Sequence, residues 1–328
     1  MENHRPGKVK VNGINIYYET HGEGESLLLI EGLGYSSWMW FKQIPDFSRK
    51  YKVIVFDNRG VGNTDKPDVE YTIEMMAEDA AGLLKALGEG PAHVLGVSMG
   101  GFIAEELALR HPGMVKSLIL VSTSFGGKYT MPMSSNLWNS FAKLWGLMPY
   151  VIQLGGKGSV PEISSFGLTP EKRIRYGLSL AFTPEYFKTH DDEVNRIVDW
   201  RLANLQPLYA WKRQFIAAVE FDAADRVYQI KAPTLVVTGS EDRIIPAEIS
   251  KRLAEGIANS EFITLKGTGH LLFIEKGDEF NRIVLNFLNE ITRKTKERKV
   301  WWRKILSFPG VKKLCDLLKL NQARVNRF

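Results

Sequence analysis

Short apolar runs alternate with amphipathic stretches along most of the chain. Residues 8–20 alternate between apolar and polar side chains around Asn12-Gly13, which predicts a β-hairpin with a two-residue turn. Continuous apolar runs, typical of strands covered on both faces, lie at residues 26–30, 51–56, 92–97, 115–121, 234–238 and 261–265. Helical periodicity is found at residues 72–87, 99–110, 247–256 and 275–290. This order predicts an α/β fold with a mostly parallel sheet flanked by helices.

The alternation stops over residues 124–228, which contain no convincing strand run. This stretch begins with many aromatic residues and methionines, and several prolines separate short helical patterns within it. We interpret it as a helical cap inserted into the core. The predicted domains are a first part of the core (1–123), the cap (124–228), a second part of the core (229–292) and a C-terminal extension (293–328).

The composition is that of a globular protein. Of the 328 residues, 44% are hydrophobic and 24% are charged, and no apolar run reaches the length of a membrane-spanning helix. The first residues contain no apolar signal segment, and Cys315 is the only cysteine, so no disulfide can form within the chain. We therefore expect a cytoplasmic protein.

The net charge of +6 is distributed unevenly. Residues 293–328 contain 12 Lys or Arg and 2 Asp or Glu, a local charge of +10, so the remaining residues sum to 6 − 10 = −4. A mildly acidic body argues against a nucleic-acid partner.

The basic extension has two amphipathic patterns. Trp301, Ile305 and Phe308 share one helical face, and a second apolar face follows Pro309-Gly310 with lysines opposite it. This combination is attracted to anionic membrane surfaces, so peripheral membrane binding through residues 293–328 is one interpretation. Docking on the catalytic body, binding of another partner, and a partly disordered, solvated end are the alternatives.

The stretch Gly96-Val97-Ser98-Met99-Gly100 joins a predicted buried strand to a predicted helix. A tight turn between two such elements exposes its central serine, and small flanking residues are needed because the two backbones nearly touch. The pattern therefore predicts a nucleophilic Ser98. In the alternative interpretation Ser98 only caps the helix of a glycine-rich loop.

Two further polar residues follow strands of the predicted sheet. The strand at 234–238 is followed by Gly239-Ser240-Glu241-Asp242, and the strand at 261–265 by Gly267-Thr268-Gly269-His270. Among the six histidines, His270 is the one on a short loop after a core strand. Because the carboxyl ends of parallel strands meet at one edge of a sheet, we expect Ser98, Asp242 and His270 to converge there.

These three residue types suit nucleophilic catalysis. A neutral serine hydroxyl needs a base, His270 can accept its proton, and Asp242 would hold the imidazole in the required tautomer. The backbone N–H groups of Met99 and Leu33 are the expected donors to the developing oxyanion.

These motifs, together with Asp57-Asn58-Arg59-Gly60-Val61-Gly62, resemble the α/β-hydrolase superfamily over residues 8–290. Within it, the chain is similar to the capped esterase, enol-lactonase and C–C hydrolase branch. The resemblance implies an eight-stranded, mostly parallel sheet, a cap after the sixth strand, and no metal or organic cofactor. It also implies that residues 57–65 form a structural turn beside the site with no catalytic role.

One position departs from the family pattern: Glu31-Gly32 stands where relatives usually carry His-Gly. A carboxylate pointing inward would repel the developing oxyanion, whereas one turned away would brace the loop. In the bracing interpretation, Glu31→Gln changes activity less than tenfold.

The predicted function is a serine hydrolase that cleaves a carboxylic ester or lactone through an acyl-enzyme. A C–C bond hydrolase or a thioesterase would use the same three residues, and a non-catalytic binding protein on a hydrolase fold is a further alternative. The methionines and tryptophans at the start of the cap suggest a small apolar acyl or aromatic substrate, unless they form only the cap's own core.

Overall fold

A computed structural model describes residues 4–127 and 169–307. The chain divides into two units, Met1–Asn281 and Arg282–Phe328. The methionine- and tryptophan-rich start of the predicted cap and the extension beyond residue 307 lie outside the described residues. Among the described residues, no helix has the length and apolar character needed to cross a membrane.

The first unit contains an eight-stranded sheet. Its strands are β1 (Arg5–Val11), β2 (Ile14–His21), β3 (Glu25–Ile30), β4 (Tyr51–Phe56), β5 (Ala92–Val97), β6 (Val115–Val121), β7 (Thr234–Gly239) and β8 (Ser260–Leu265). Their order across the sheet is β1-β2-β4-β3-β5-β6-β7-β8. The pairs β1–β2 and β2–β4 are antiparallel and the other pairs are parallel. The predicted α/β-hydrolase fold with its mostly parallel sheet is confirmed.

The N-terminal hairpin follows from the turn residues. Asn12 and Gly13 both have positive φ, 48° and 84°, which the two-residue turn between β1 and β2 requires and which asparagine and glycine tolerate. The central strands β5 and β7 are buried along their whole length and β3 is buried from Ser26 to Ile30, as their continuous apolar runs predict.

The helices of the core lie between the strands in sequence. They are α1 (Ile44–Phe47), α2 (Ile73–Ala86) and α3 (Met99–Arg110), and a 3₁₀ helix spans Ser37–Trp40. The α2 helix begins where its capping residue predicts, because the Thr72 hydroxyl accepts a hydrogen bond from the Met75 N–H.

The described part of the predicted cap contains helices and one isolated β-bridge. The helices are α4 (Pro170–Ala181), α5 (Pro184–Thr189), α6 (Asp191–Ala203) and α7 (Leu208–Glu220). The bridge pairs Gly126 with Asp222, and the Ala223 N–H donates to the Phe125 carbonyl at 2.8 Å. The two ends of this insertion, which follows β6, therefore meet at one place.

The chain after the cap resumes the expected order. It contains α8 (Ala247–Gly256), α9 (Leu272–Glu275) and α10 (Gly277–Ser307). The predicted end of the last helix near residue 290 is wrong, because α10 continues to Ser307. No glycine or proline interrupts the sequence between Gly277 and Pro309, so the helix has no breaker at 290.

Candidate active site

Ser98 lies alone between two elements, β5 ending at Val97 and α3 beginning at Met99. Its φ of 54° and ψ of −120° are a conformation that a side-chain-bearing residue rarely adopts. Its side chain makes no capping hydrogen bond to α3, which contradicts the interpretation of Ser98 as a helix cap. The turn instead leaves Ser98 partly exposed.

Two glycines make this turn possible. A Cβ atom on Gly96 would collide with the Gly100 carbonyl, and one on Gly100 would collide with the Ile30 carbonyl. The backbones of β5, α3 and the end of β3 therefore approach more closely than any larger residue allows, as the sequence pattern predicts.

Asp242 and His270 form a buried hydrogen-bonded pair. The Asp242 Oδ2 lies 2.8 Å from His270 Nδ1, and the Asp242 side chain is 0% exposed. The second oxygen, Oδ1, accepts the backbone N–H groups of Ile244 and Ile245 at 2.8 and 2.9 Å. With one oxygen fixed by two backbone donors, the other is held towards the imidazole.

The loops that carry this pair follow two neighbouring strands, β7 and β8. The Glu241 N–H donates to the Thr268 carbonyl at 2.9 Å. Gly239 lies so close to the backbone of Thr268 and Gly269 that a Cβ atom there would not fit. The adjacency of the strands thus brings together residues that are 28 positions apart in the chain.

The loop of His270 is tied to the end of α4. The His270 N–H donates to the Ala181 carbonyl at 2.7 Å. The carboxyl group of Glu275 accepts the Gly269 N–H at 2.8 Å and the Thr183 hydroxyl at 2.7 Å. Burial raises the pKa of Glu275 above its ordinary value. The cap therefore holds the histidine loop in position.

Arg243, next to Asp242, is tied to the same helix end. Its Nη2 donates to the carbonyl oxygens of Ser179 and Phe182, the latter at 2.7 Å. These carbonyls have lost their intrahelical donors at the end of α4, and a guanidinium is a suitable donor for them. The aspartate loop and the histidine loop are therefore both attached to one end of one cap helix.

Ser98 and His270 line the same pocket. Its volume is about 710 Å³, part of it open to solvent. Most of its wall is apolar, and both the core and the cap contribute to it: Leu33, Met39, Val97, Ala181, Trp211, Ile244 and Leu271. Asp242 lies behind His270 and does not line the pocket.

The loop after β3 passes beside the serine. A Cβ atom on Gly32 would lie 4.0 Å from Ser98 Oγ, and Leu33 lines the pocket. Within the described residues no acceptor takes the Leu33 N–H. Met99 is the first residue of α3, so its N–H is among those that no helical carbonyl can accept.

Glu31, the unexpected acid of this loop, points away from the pocket. It is completely buried, and its Oε1 accepts the Trp40 Nε1–H at 3.2 Å. Its backbone carbonyl accepts the Asn58 side-chain amide at 3.3 Å. Burial, and then the nearby Asp57 carboxyl, raise the pKa of Glu31 well above its ordinary value.

One positively charged side chain reaches the pocket from the cap. The guanidinium carbon of Arg201, on α6, lies 4.6 Å from the centre of the Tyr35 ring, and both residues line the pocket. None of the ion pairs within residues 4–127 and 169–307 uses Arg201. Burial raises the pKa of Tyr35, an effect that Arg201 partly opposes.

Comparison with known proteins identifies the family of this chain. The model of the alpha/beta hydrolase fold matches residues 25–147, and that of TAP-like protein matches residues 208–299. A putative carbamate hydrolase, RutD, of Variovorax paradoxus is 30% identical over 282 residues, which cover 84% of this chain and 97% of the relative. The chain belongs to the α/β-hydrolase superfamily.

Other members of the superfamily are similar over the same region. A putative non-heme bromoperoxidase, BpoC, of Mycobacterium tuberculosis is 28% identical over 286 residues, covering 85% of this chain and 99% of the relative. The crystal structure of the enol-lactonase from Burkholderia xenovorans has a TM-score of 0.71 and 25% identity, covering 86% of this chain and all of that one. The named activities of these relatives differ although the fold is shared.

Sequence reasoning missed the residues that the cap contributes to this hydrolase site. Arg201 and Trp211 are separated from every motif by many residues, and their distance from Ser98 depends on how the cap docks. Arg243 follows Asp242 directly, so the sequence places it beside the site. The sequence does not predict that the end of α4 accepts its hydrogen bonds. No local pattern in the sequence marks such contacts.

Proposed function

We propose that this α/β-hydrolase is a serine hydrolase that cleaves a small carboxylic ester or lactone through an acyl-enzyme. Ser98 is the nucleophile, His270 the general base and Asp242 the residue that orients the base. The observation that carries the proposal is the 2.8 Å contact between Asp242 and His270 beside a pocket that Ser98 also lines.

The contact supports Nε2 of His270 as the nitrogen that acts as the base. With Nδ1–H donating to Asp242, Nε2 is the atom left to take the Ser98 proton as the hydroxyl attacks the carbonyl carbon. His270 then returns this proton to the departing alcohol, and a water molecule releases the acyl group by the same steps in reverse order. Asp242 stabilises the imidazolium that forms in each half of the reaction.

The negative charge that develops on the carbonyl oxygen requires fixed donors. We assign this role to the backbone N–H groups of Leu33 and Met99, on the two sides of Ser98. The loss of one such donor commonly raises the barrier by about 3–4 kcal/mol. Glu31 is compatible with this role because its carboxyl group is buried on the other side of the loop.

The lining of the pocket suggests the substrate class. An apolar wall suits a small acyl or aromatic group, as the sequence predicts, and Arg201 adds one fixed positive charge. We therefore propose an ester or lactone that carries a carboxylate on its apolar part. A planar guanidinium binds a carboxylate with two parallel hydrogen bonds.

A panel of p-nitrophenyl esters tests the apolar contact of the pocket wall and the charged contact of Arg201 with the substrate. We expect hexanoyl esters to react faster than acetyl esters, and Ser98→Ala to abolish turnover of all of them. Arg201→Met should lower kcat/KM at least tenfold for half-esters of dicarboxylic acids and less than threefold for neutral esters. Equal losses for the two kinds of ester would contradict the charged contact, and a preference for acetyl esters would contradict the apolar one.

The alternative reactions use the same three residues. Cleavage of a C–C bond or a thioester is tested by adding a vinylogous diketone and an acyl thioester to the panel. The named activities of the relatives make a carbamate a further substrate to include. If a well-folded protein turned over none of these compounds, a non-catalytic binding role would replace the enzyme proposal.

A further inference from the structure

A second cluster of reactive side chains lies at the N-terminal hairpin. Glu19 and His21 are two residues apart on β2, so their side chains leave the same face of the sheet. The pairing of β1 with β2 ends at Arg5 opposite Thr20, and His4, the next residue outward, comes opposite His21. The register of the hairpin therefore brings two histidines and a carboxylate together.

The donor atoms of the three side chains converge on one point. The Nε2 atoms of His4 and His21 each lie 3.1 Å from the same oxygen, Oε2 of Glu19. All three donor atoms lie within 4.8 Å of one another. The two imidazole rings are stacked, with centroids 4.6 Å apart and planes 20° from parallel. Among the described residues this is the one such group of three or more possible metal ligands.

The two nitrogen–oxygen separations are close to those between neighbouring ligand atoms of a tetrahedral metal site, although the stacked imidazole rings must turn so that both nitrogens face one ion. Zinc binds imidazole nitrogen and carboxylate oxygen at about 2.0–2.2 Å, which places neighbouring ligand atoms about 3.3 Å apart. The two nitrogen–oxygen distances here need to lengthen by only a few tenths of an ångström. Two imidazoles and one carboxylate are also a ligand set that divalent transition metals commonly use.

The carboxylate is already oriented by a second set of contacts. The other oxygen of Glu19, Oε1, accepts the Tyr17 hydroxyl at 2.9 Å and the Ser37 hydroxyl at 3.4 Å. These bonds leave Oε2 directed at the histidines. Metal-binding carboxylates are typically held in this way by hydrogen bonds to the oxygen that does not bind the metal.

We propose that His4, Glu19 and His21 bind one divalent transition-metal ion, with Zn²⁺ as the best match. The ion would attach the residue that precedes β1 to the end of β2 and leave a coordination position for water. None of the three residues lines the Ser98 pocket, so the ion stabilises the hairpin and takes no part in hydrolysis. Because the ion binds the folded hairpin, it raises the stability of the fold.

The test uses the full chain without a histidine tag, freed of metal by a chelator. Titration calorimetry with Zn²⁺ should show one ion per chain with a dissociation constant below about 10 µM, and saturation should raise the unfolding temperature by about 3 °C or more. His4→Gln and His21→Gln should each weaken binding at least tenfold and remove the thermal shift. Because the His4 side chain is 49% exposed, His4→Gln should fold as the wild type does.

A matched control is His111→Gln. In the wild type, His111 Nε2 lies 3.0 Å from Glu78 Oε1, and within the described part of the chain no second histidine lies beside this pair. This variant should bind Zn²⁺ as the wild type does, and all variants should hydrolyse a neutral ester at the wild-type rate. No binding by the wild type at 100 µM Zn²⁺, or unchanged binding by both hairpin variants, would overturn the proposal.

Discussion

The carboxyl group of Glu31 is unusual for a residue beside the loop that carries Leu33, the proposed oxyanion donor. It is 0% exposed, Trp40 donates to one of its oxygens, and the other oxygen has no partner among the described residues. Burial raises the pKa of Glu31, and the neighbouring Asp57 raises it further. A carboxyl that stays protonated carries no charge and does not repel an oxyanion. The raised pKa of Glu31 favours this uncharged form, so an acid at this position is compatible with the proposed oxyanion site.

Glu31→Gln should therefore change kcat/KM less than tenfold, and it should change how stability depends on pH. A carboxyl whose pKa is raised by folding contributes its stability fully below the unfolded-state pKa of about 4.3, and loses it as pH rises towards the folded-state pKa. In that pH interval the free energy of unfolding of the wild type should fall by up to about 1.4 kcal/mol per pH unit relative to that of the glutamine variant.

Urea denaturation from pH 5 to pH 8 measures this difference. Glu248→Gln, at an exposed position of α8, is the control, and its curve should run parallel to that of the wild type. A parallel curve for Glu31→Gln as well would show that Glu31 ionises normally, and a loss of kcat far above tenfold would overturn the bracing role.

Individual site residues differ in how far the sequence can predict them. Ser98 is marked locally, because the glycines around it are needed for the turn itself. Asp242 and His270 are marked by their place after strands. Arg201 has no such mark, since its position depends on the docking of the cap helices, a packing outcome that no local pattern encodes.

At the scale of elements, α4 connects the cap to the site. Its C-terminal end accepts hydrogen bonds from the His270 N–H and from the Arg243 side chain. These two residues come from different loops of the core. A shift of this helix end would therefore move the loops of His270 and Asp242 together.

Arg243→Met should lower kcat at least fivefold with little change in KM for a neutral ester, because it loosens the loop that positions Asp242. We infer that Arg243 positions Asp242, so the pH dependence of kcat/KM should change in this variant, whereas a purely structural loss would leave that profile intact. Arg252→Met, on the exposed side of α8, is the control. An unchanged kcat and profile in Arg243→Met would contradict this role.

The elements themselves were predictable to different degrees. Buried strands and the hairpin follow from apolar runs and from Asn12-Gly13. The predicted bounds of the buried strands agree with the structure to within a residue, whereas the hairpin begins three residues before its predicted start. The predicted end of the last helix was wrong because the change from apolar to basic composition near residue 290 does not break a helix. Ion pairs such as Arg293–Glu297, at 3.0 Å, support the continued helix.

At the scale of the whole molecule, positive charge is concentrated at the C-terminal end. Residues 293–328 carry +10 and the rest of the chain −4. In the described part of that segment the helix continues to Ser307, and Trp301 is 56% exposed. Peripheral membrane binding by this segment stays a prediction, based on its charge and its tryptophans.

Flotation with phospholipid vesicles tests directly whether residues 293–328 bind a membrane. The full chain should float with vesicles that contain anionic lipid and should remain in the bottom fraction when the vesicles are neutral. High salt should release the bound protein from the anionic vesicles. Removal of residues 293–328 should abolish flotation and leave hydrolysis of a soluble ester unchanged. If the full chain does not float, or if the shortened chain floats equally well, the segment has another role.

The central claim is that His270 and Asp242 activate Ser98. Labelling with a fluorophosphonate probe tests it most directly, because the probe reacts only with an activated serine. We expect rapid labelling of the wild type and none of Ser98→Ala or His270→Ala, with each variant shown to be folded by its unfolding temperature. Absence of labelling in a folded wild type, or labelling that persists in Ser98→Ala, would contradict the account.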